Sequence, residues 1–306
     1  MLLGADPEFF IVDSSYQIIN SYRLIKRNKK NPIKFKDYKF FYDNVAIEAN
    51  FTPAITKDDF IDKIDKMFAH LKKIVHPYNL SLQAYGEISD SEKSFDNANE
   101  IGCEPDLNAY NFSYNKIPTK EVKEHNGRTI GGHIHIGGMN NDAVLDPFLK
   151  PIFVYMLDLF VGIPSVLLDH SAESYKRRKI FGKAGSYKSK KYGIEYRTLS
   201  PFWLANPQLT GLIYELIEFV FHGMNEDLYK KFWKLDLNRM KTKTKDAYKC
   251  FGYDYESVCD CINKTDINLA KKYYNFIHNF LPEKIVSNLD EQIKKIYNPI
   301  DFYWNL

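Results

Sequence analysis

Four pairs of polar residues, each pair split by one residue and set in a strand-like alternation, constrain this chain more than any other feature. Asp6 and Glu8 form the first pair, Glu48 and Asn50 the second, His133 and His135 the third, Glu195 and Arg197 the fourth. In an extended strand, residues i and i+2 project from one face about 7 Å apart. Each pair therefore shares a face. Val45, Ile47, Ala49 and Phe51 point away from Glu48 and Asn50, and Ile134 and Ile136 point away from the two histidines. The pattern predicts four strands with acids, imidazoles and a guanidinium on one side and an apolar side that helices must cover.

The remaining sequence supplies those helices. Period-2 patterns at 2–12 and 38–51 read as strands. Residues 57–76 read as a helix with Phe60, Ile61, Ile64, Met67, Phe68, Leu71, Ile74 and Val75 on one stripe, Thr56 as N-cap and Pro77 closing it. Residues 90–127, rich in Asn, Ser, Glu and Tyr, read as long loops over a site. A glycine-flanked strand is expected at 129–137, an apolar helix at about 146–168, a basic mobile loop from Ser171 to Lys191, and a second apolar helix from Asn206-Pro207 through about Phe221. From Asp236 onward the pattern is helical and charged, without a chemical motif. The economical division is an α+β catalytic domain over 1–235 and a helical C-terminal extension over 236–306.

Composition narrows the function classes. In 306 residues, 42 Lys+Arg against 39 Asp+Glu leave a net charge of +3, too small for a nucleic-acid coat or a polybasic membrane tail. The apolar run from Ile152 to Leu168 contains Asp158 and Pro164 and falls short of the ~20 clean apolar residues a bilayer requires, so it reads as a buried helix. Cys103, Cys250, Cys259 and Cys261 are too few and too unevenly spaced for a disulfide framework. With no basic start and no apolar stretch of signal-peptide length, a cytoplasmic setting is expected.

Carboxylates on neighbouring strands repel and raise one another's pKa unless cations sit among them, and such oxygen-rich clusters suit Mg²⁺ or Mn²⁺. Arg197 supplies a fork for a phosphate oxygen, and Lys176, Arg177, Arg178, Lys179 and Lys183 could close over it. Acid, metal and cation together describe a phosphoryl-transfer site. Taken singly, each feature also fits something plainer. Asp6 and Glu8 fit a solvated strand edge, the histidines a core pair between Gly131, Gly132, Gly137 and Gly138, the basic run a solvated loop, and Glu195 with Arg197 a cross-strand ion pair.

Four segments, in order, carry a family resemblance. They are Gly4-Ala-Asp6-Pro-Glu8-Phe9, Asp43-Asn-Val-Ala-Ile-Glu48-Ala-Asn50-Phe-Thr-Pro53, Gly132-His133-Ile-His135-Ile-Gly137 and Gly193-Ile-Glu195-Tyr-Arg197-Thr-Leu-Ser-Pro201. They resemble the phage-type carboxylate-amine ligases of phiEco32-like phages, relatives of glutamine synthetase and glutamate-cysteine ligase. The resemblance spans roughly residues 1–220, and nothing beyond Asp236 matches.

The resemblance implies a curved antiparallel sheet of glutamine-synthetase-like type, with helices on its outer face and ATP and metal ions on its concave face. It implies that a substrate carboxylate is activated as an acyl phosphate, which an amine then converts to an amide. Carried over by position, Glu8, Glu48 and Glu195 are metal ligands supported by Asp6 and Asp43. His133 or His135 contacts a metal or the γ-phosphate, and Arg197 neutralises the transferring phosphoryl group. Arg177, Arg178 and Lys183 are expected at the nucleotide. Glu104 or Asp106 is a candidate for holding the amine, with an Asx-type turn at Pro105-Asp106 as the plainer reading. The carboxylate is left open among small molecules, peptides and proteins, and a modified nucleobase remains among the candidates. Two other classes compete: a structural or binding protein on the same fold with a dead site, and a metal-dependent hydrolase. Glu8, Glu48, Glu195 and Arg197 are all present, which argues against the first. An arginine two residues after a ligand is not needed by the second.

Overall fold

In a computed structural model that describes residues 1–99, 105–116, 125–138, 142–225, 255–295, 297–300 and 304, the fold is organised around one long strand. The strands are β1 (Leu2–Val12), β2 (Ile18–Ile19), β3 (Ile33–Lys34), β4 (Tyr38–Asp43), β5 (Ala46–Phe51), β6 (Asn79–Ser81), β7 (Tyr85–Glu87), β8 (Leu107–Asn108), β9 (Gly127–Thr129), β10 (Gly132–Gly137), β11 (Ser186–Lys190) and β12 (Gly193–Tyr196). Most join one sheet in the order β3-β4-β5-β1-β10-β12-β11-β8, with β2 and β6 also on β1, while β7 and β9 pair separately. The pairings along the central strands are antiparallel. The protein is thus a mixture of helices and antiparallel strands, as its alternating patterns predict.

Register decides what the sheet can do. Asp6 lies opposite His133, Glu8 opposite Glu48, and His135 opposite Glu195. The four polar pairs therefore sit on one face of the adjacent strands β5, β1, β10 and β12, with Arg197 one residue past the end of β12. The other face buries Leu3, Ala5, Phe9, Ile11, Ile47, Ala49, Ile134, Ile136, Ile194 and Tyr196. At the β4–β5 turn Asn44 adopts a φ of 52°, a left-handed conformation that asparagine tolerates. Its Oδ1 accepts from Val45 N–H at 2.8 Å and Arg128 Nε at 3.1 Å.

The helix Lys57–Val75 covers the apolar face. Thr56 Oγ1 accepts from Asp59 N–H at 3.2 Å, Asp58 and Asp59 lie in the first turn and Lys72 and Lys73 in the last, so side-chain cap and helix dipole agree. Phe60 stacks on Trp203 at 5.8 Å and meets Phe51 and Tyr214, and Phe68 packs edge-on to Phe9 at 5.5 Å. The helix Pro207–Asn225 runs beside it, with Asn206 Oδ1 accepting from Leu209 N–H at 2.8 Å. Helices Tyr255–Lys264, Ile267–Ile277 and Glu283–Ile293 add Val258, Cys261, Ile262, Ala270, Ile277 and Leu289 to the same hydrophobic cluster as Phe9 and Ile134.

Three segments differ from their expected form. The apolar helix is not one rod: Leu149–Leu157 passes through a π turn at Asp158–Gly162 into Ile163–Leu168. Its length and hydropathy would suit a membrane span, yet its apolar window is entirely inside the protein. The strand expected at 129–137 breaks at Ile130-Gly131, because β9 pairs with β7 whereas β10 pairs with β1 and β12. The stretch from Ser171 to Lys191, expected as a mobile basic loop, is the helix Ala172–Ile180 followed by β11. Charge alone suggested solvation there. Instead Arg177 is buried and donates to the carbonyls of Ile130 (2.8 Å), Thr198 (2.9 Å) and Arg197 (3.2 Å). Residues 90–127 do contain loops, with short helical turns at Asp90–Lys93 and Asp96–Asn99 and the strand β8. Cys103, Glu104 and Cys250 lie outside the described residues.

Truncating Phe60 to alanine should remove the ring that joins sheet, first helix and Trp203, and cost about 3–5 kcal/mol. Chemical denaturation should show a lower midpoint with unchanged slope; an unaltered midpoint would contradict this packing.

Candidate active site

The polar face holds two groups of ligands with opposite electrostatics. In the first, Asp6, His135 and Glu195 each bring a ligand atom within 4.8 Å of the other two. Asp6 Oδ1 lies 3.0 Å from His135 Nε2 and 3.7 Å from His133 Nδ1. Glu195 is 2% exposed, and its carboxylate meets Lys190 Nζ at 2.7 Å and Arg197 Nη1. Burial by itself would raise Glu195, but Arg197, His135 and Lys190 outweigh it and hold the carboxyl down at about 2.

In the second group, Glu8, Asp43 and Glu48 bring carboxylate oxygens within 4.8 Å of one another. Burial and the neighbouring Asp43 push Glu8 up to about 8. Burial and its acidic neighbours likewise push Glu48 well above the usual range, and burial raises Asp43. Glu8 Oε2 accepts from Gly131 N–H at 2.7 Å and Glu48 Oε1 from Asn50 Nδ2 at 2.8 Å. Lys29 reaches Glu48 only at 3.9 Å from an exposed position. These bonds and charges do not offset the desolvation of three acids.

Both groups fit divalent cations. The second is an oxygen-only set short of positive charge, the environment of Mg²⁺ or Mn²⁺. In the first, the buried Asp6 Oδ1 receives no aligned hydrogen bond from the described residues. Of the two histidines, it is His135 whose ring nitrogen joins Asp6 and Glu195 in this group. His133 instead lies deeper, 6% exposed, with Nδ1 3.2 Å from Arg197 Nη1. A guanidinium can only donate, so Nδ1 accepts and the proton sits on Nε2. Burial and Arg197 hold this imidazole well below its ordinary pKa, and it is neutral at pH 7.

Arg197, 5% exposed, connects the groups. It pairs with Glu195, lies against His133, and lines a small cavity of about 80 Å³ with Glu8, Asp43, Arg177 and Phe10. Its Nε stands 2.8 Å from Asp106 Oδ1, so Asp106, read in the sequence as an ammonium holder or a turn, is a partner of this guanidinium. Lys183 lines a neighbouring pocket with Asp106 and Ser186. Arg178 is not brought to the polar face; it is buried, and its guanidinium donates to Thr265 Oγ1 at 2.9 Å and Ser165 Oγ at 3.3 Å. On the other side of His135, a cleft of about 470 Å³ is walled by Phe35, Tyr38, Tyr192, Lys34, Lys36 and Lys39. Tyr192 and this lysine-aromatic wall lie in no polar pair and so carry no signal in the sequence, where Lys190 is visible only as part of the basic stretch from Ser171 to Lys191.

Residues 114–293, more than half of the chain, match the family of phage phiEco32-like COOH-NH2 ligases, type 2. The protein belongs to this family. Its members are ligases that join carboxyl and amine groups, which sets aside neither residue group described above. The match contains His133, His135, Glu195 and Arg197; it begins after β1 and β5 and continues past Asp236, where the sequence reading found no counterpart. A comparison with curated proteins returned no match.

The two electrostatic regimes give opposite stability effects in a chelator. A carboxyl whose pKa is raised in the folded state keeps its proton longer than in the unfolded chain. Folding stability then falls as pH climbs from the unfolded value toward about 8 at Glu8. Glu48→Gln should flatten that decline and raise the melting temperature at alkaline pH. Glu195→Gln should lower the melting temperature, because Arg197 and Lys190 lose their shared carboxylate and a broken buried pair costs about 3 kcal/mol. The same sign for both variants would refute the assignment.

Proposed function

We propose that this ligase is ATP-dependent and activates its carboxylate as an acyl phosphate. The observation that carries the reading is Arg197, a buried guanidinium between an acidic group that is well compensated and one that is short of positive charge. Asp6, His135 and Glu195 would hold one divalent cation, and Glu8, Asp43 and Glu48 another; such ions supply charge neutralisation for triphosphate oxygens. We read the sheet as glutamine-synthetase-like and curved, with the polar face concave.

In this reading an oxygen of the substrate carboxylate attacks the γ-phosphorus, and the bond to the β–γ bridging oxygen breaks to leave ADP. The amine nitrogen then attacks the carbonyl carbon of the acyl phosphate. Phosphate departs with the carbon–oxygen bonding pair, and the nitrogen loses a proton. Arg197 neutralises the phosphoryl group as charge shifts, with Asp106 and Glu195 as its ion-pair partners. Neutral His133 presents Nε2–H as a donor. We assign the base and ribose to the lysine-aromatic cleft, because about 80 Å³ is too small for a nucleoside whereas about 470 Å³ lies in the range of small-molecule sites. The carboxylate or amine would occupy the smaller cavity. The carboxylate donor is a small molecule, peptide or protein, and we place the reaction in the cytoplasm, that of the host if the chain is phage-borne.

ADP release with Mg²⁺ should require both a carboxylate and an amine, tested over mixtures of amino acids, peptides and polyamines with mass spectrometry of the product. Arg197→Lys keeps the charge and loses the fork, so turnover should fall about 100-fold while nucleotide affinity changes little. Glu8→Gln should abolish turnover with the fold intact. Product formed without ATP consumption would end the acyl phosphate reading, and near-normal turnover in Glu8→Gln would end the metal assignment.

A further inference from the structure

Asp158 is a fully buried carboxylate at the π turn of the apolar helix, on the side of the sheet opposite the ligand groups. A bare acid there would be prohibitively costly, and this one is surrounded by donors. Tyr196 Oη donates to Oδ1 at 2.6 Å and Thr198 Oγ1 at 3.3 Å; Gly185 N–H donates to Oδ2 at 2.6 Å and Tyr110 Oη at 2.9 Å. Gly162 leaves room for this, since a Cβ there would stand 2.9 Å from Tyr196 Oη.

Each donor belongs to a segment that fixes part of the active face. Tyr196 lies between Glu195 and Arg197, and Thr198 follows Arg197. Tyr110 closes the segment that begins with Asp106, the partner of Arg197 Nε. Gly185 precedes β11, whose Lys190 pairs with Glu195. We propose that Asp158 is a positioning residue that sets Arg197 and Glu195 in register with Asp106 and Lys190 by tying three segments, β12 with its end, Asp106 to Tyr110, and the start of β11, to one point behind the sheet. Burial pushes its carboxyl up to about 6 against the pull of these bonds, so it is ionised at neutral pH and a full-strength acceptor.

The account rests on the assignment of Arg197 to the transferring phosphoryl group, but it can fail separately. Tyr196→Phe removes one donor and keeps the ring's packing. Asp158→Asn keeps the shape: its carbonyl oxygen can still accept from Gly185 N–H, while its amide faces hydroxyls that can rotate to accept. In both variants the turnover number should fall about 10-fold or more, with the dissociation constant of a non-hydrolysable Mg²⁺-ATP analogue within about 3-fold of wild type. The double variant should lose little more than the worse single one. Independently of activity, the Arg197 Nε–H resonance in ¹⁵N spectra should be distinct in the wild type and shifted or broadened in both variants. Wild-type turnover numbers with an unmoved resonance would overturn the tether. Additive losses, or losses carried equally by nucleotide affinity, would do the same. If the wild-type protein consumes no ATP, the phosphoryl-transfer reading fails while the resonance still tests the tether.

Discussion

Everything on the polar face depends on three carboxylates, Glu48 buried and Glu8 and Asp43 half-buried, held together with too little positive charge. Glu8, Asp43 and Glu48 are crowded by the β4–β5–β1 register, and their pKa values are raised because the fold gives them neighbours of the same sign. Two residues away on β1, Asp6 belongs to a group in which Glu195 is firmly ionised by Arg197 and Lys190. The strand therefore spans a gradient from saturated to starved electrostatics. The second group, short of positive charge, therefore has the stronger demand for a cation, while the first still offers Asp6 Oδ1, which receives no aligned hydrogen bond from the described residues.

Buried arginines make the arrangement rigid. Arg177 ties the helix Ala172–Ile180 to the carbonyls of Ile130, Thr198 and Arg197, at the ends of the strands that carry the ligands. Arg128 donates to Asn44 Oδ1 and to the carbonyls of Ala98, His125 and Gly127, which fixes the β4–β5 turn beside Asp43. Such guanidiniums satisfy several buried carbonyls at once, which a lysine could not do with one point charge. Asp158 extends the same logic to the rear of the sheet.

The period-2 pairs were legible because strand geometry leaves them one face and because their apolar neighbours confirm it. Helix Lys57–Val75 was legible from its stripe and its Thr56 cap, and its observed cap bond is the one that residue type predicts. What was not legible depended on long-range contact. Arg177 and Arg178 look like solvated charges until the carbonyls and hydroxyls they satisfy are known, 47 and 87 residues away in the farthest cases. Asp106 and Arg197 are separated by the whole of the central chain, so no local pattern could pair them. Asp158 does leave a signal, a lone acid in an otherwise apolar helix, but the pattern speaks only against a membrane span and not for the donors that surround it. The segment breaks at Ile130-Gly131 and at Asp158–Gly162 reflect pairing and hydrogen-bond choices that local periodicity does not record.

The most direct test of the central claim is calorimetry of Mg²⁺ or Mn²⁺ binding to the metal-free protein at pH 7, in two buffers of different ionisation enthalpy. A group of acids that holds a proton because it lacks a cation should release about one proton when the cation arrives, and the affinity should rise as pH approaches 8. Glu8→Gln should lose this proton release together with one of the bound ions. Cation binding without proton exchange and without pH dependence, or no cation binding in the absence of nucleotide, would contradict a face built around uncompensated charge.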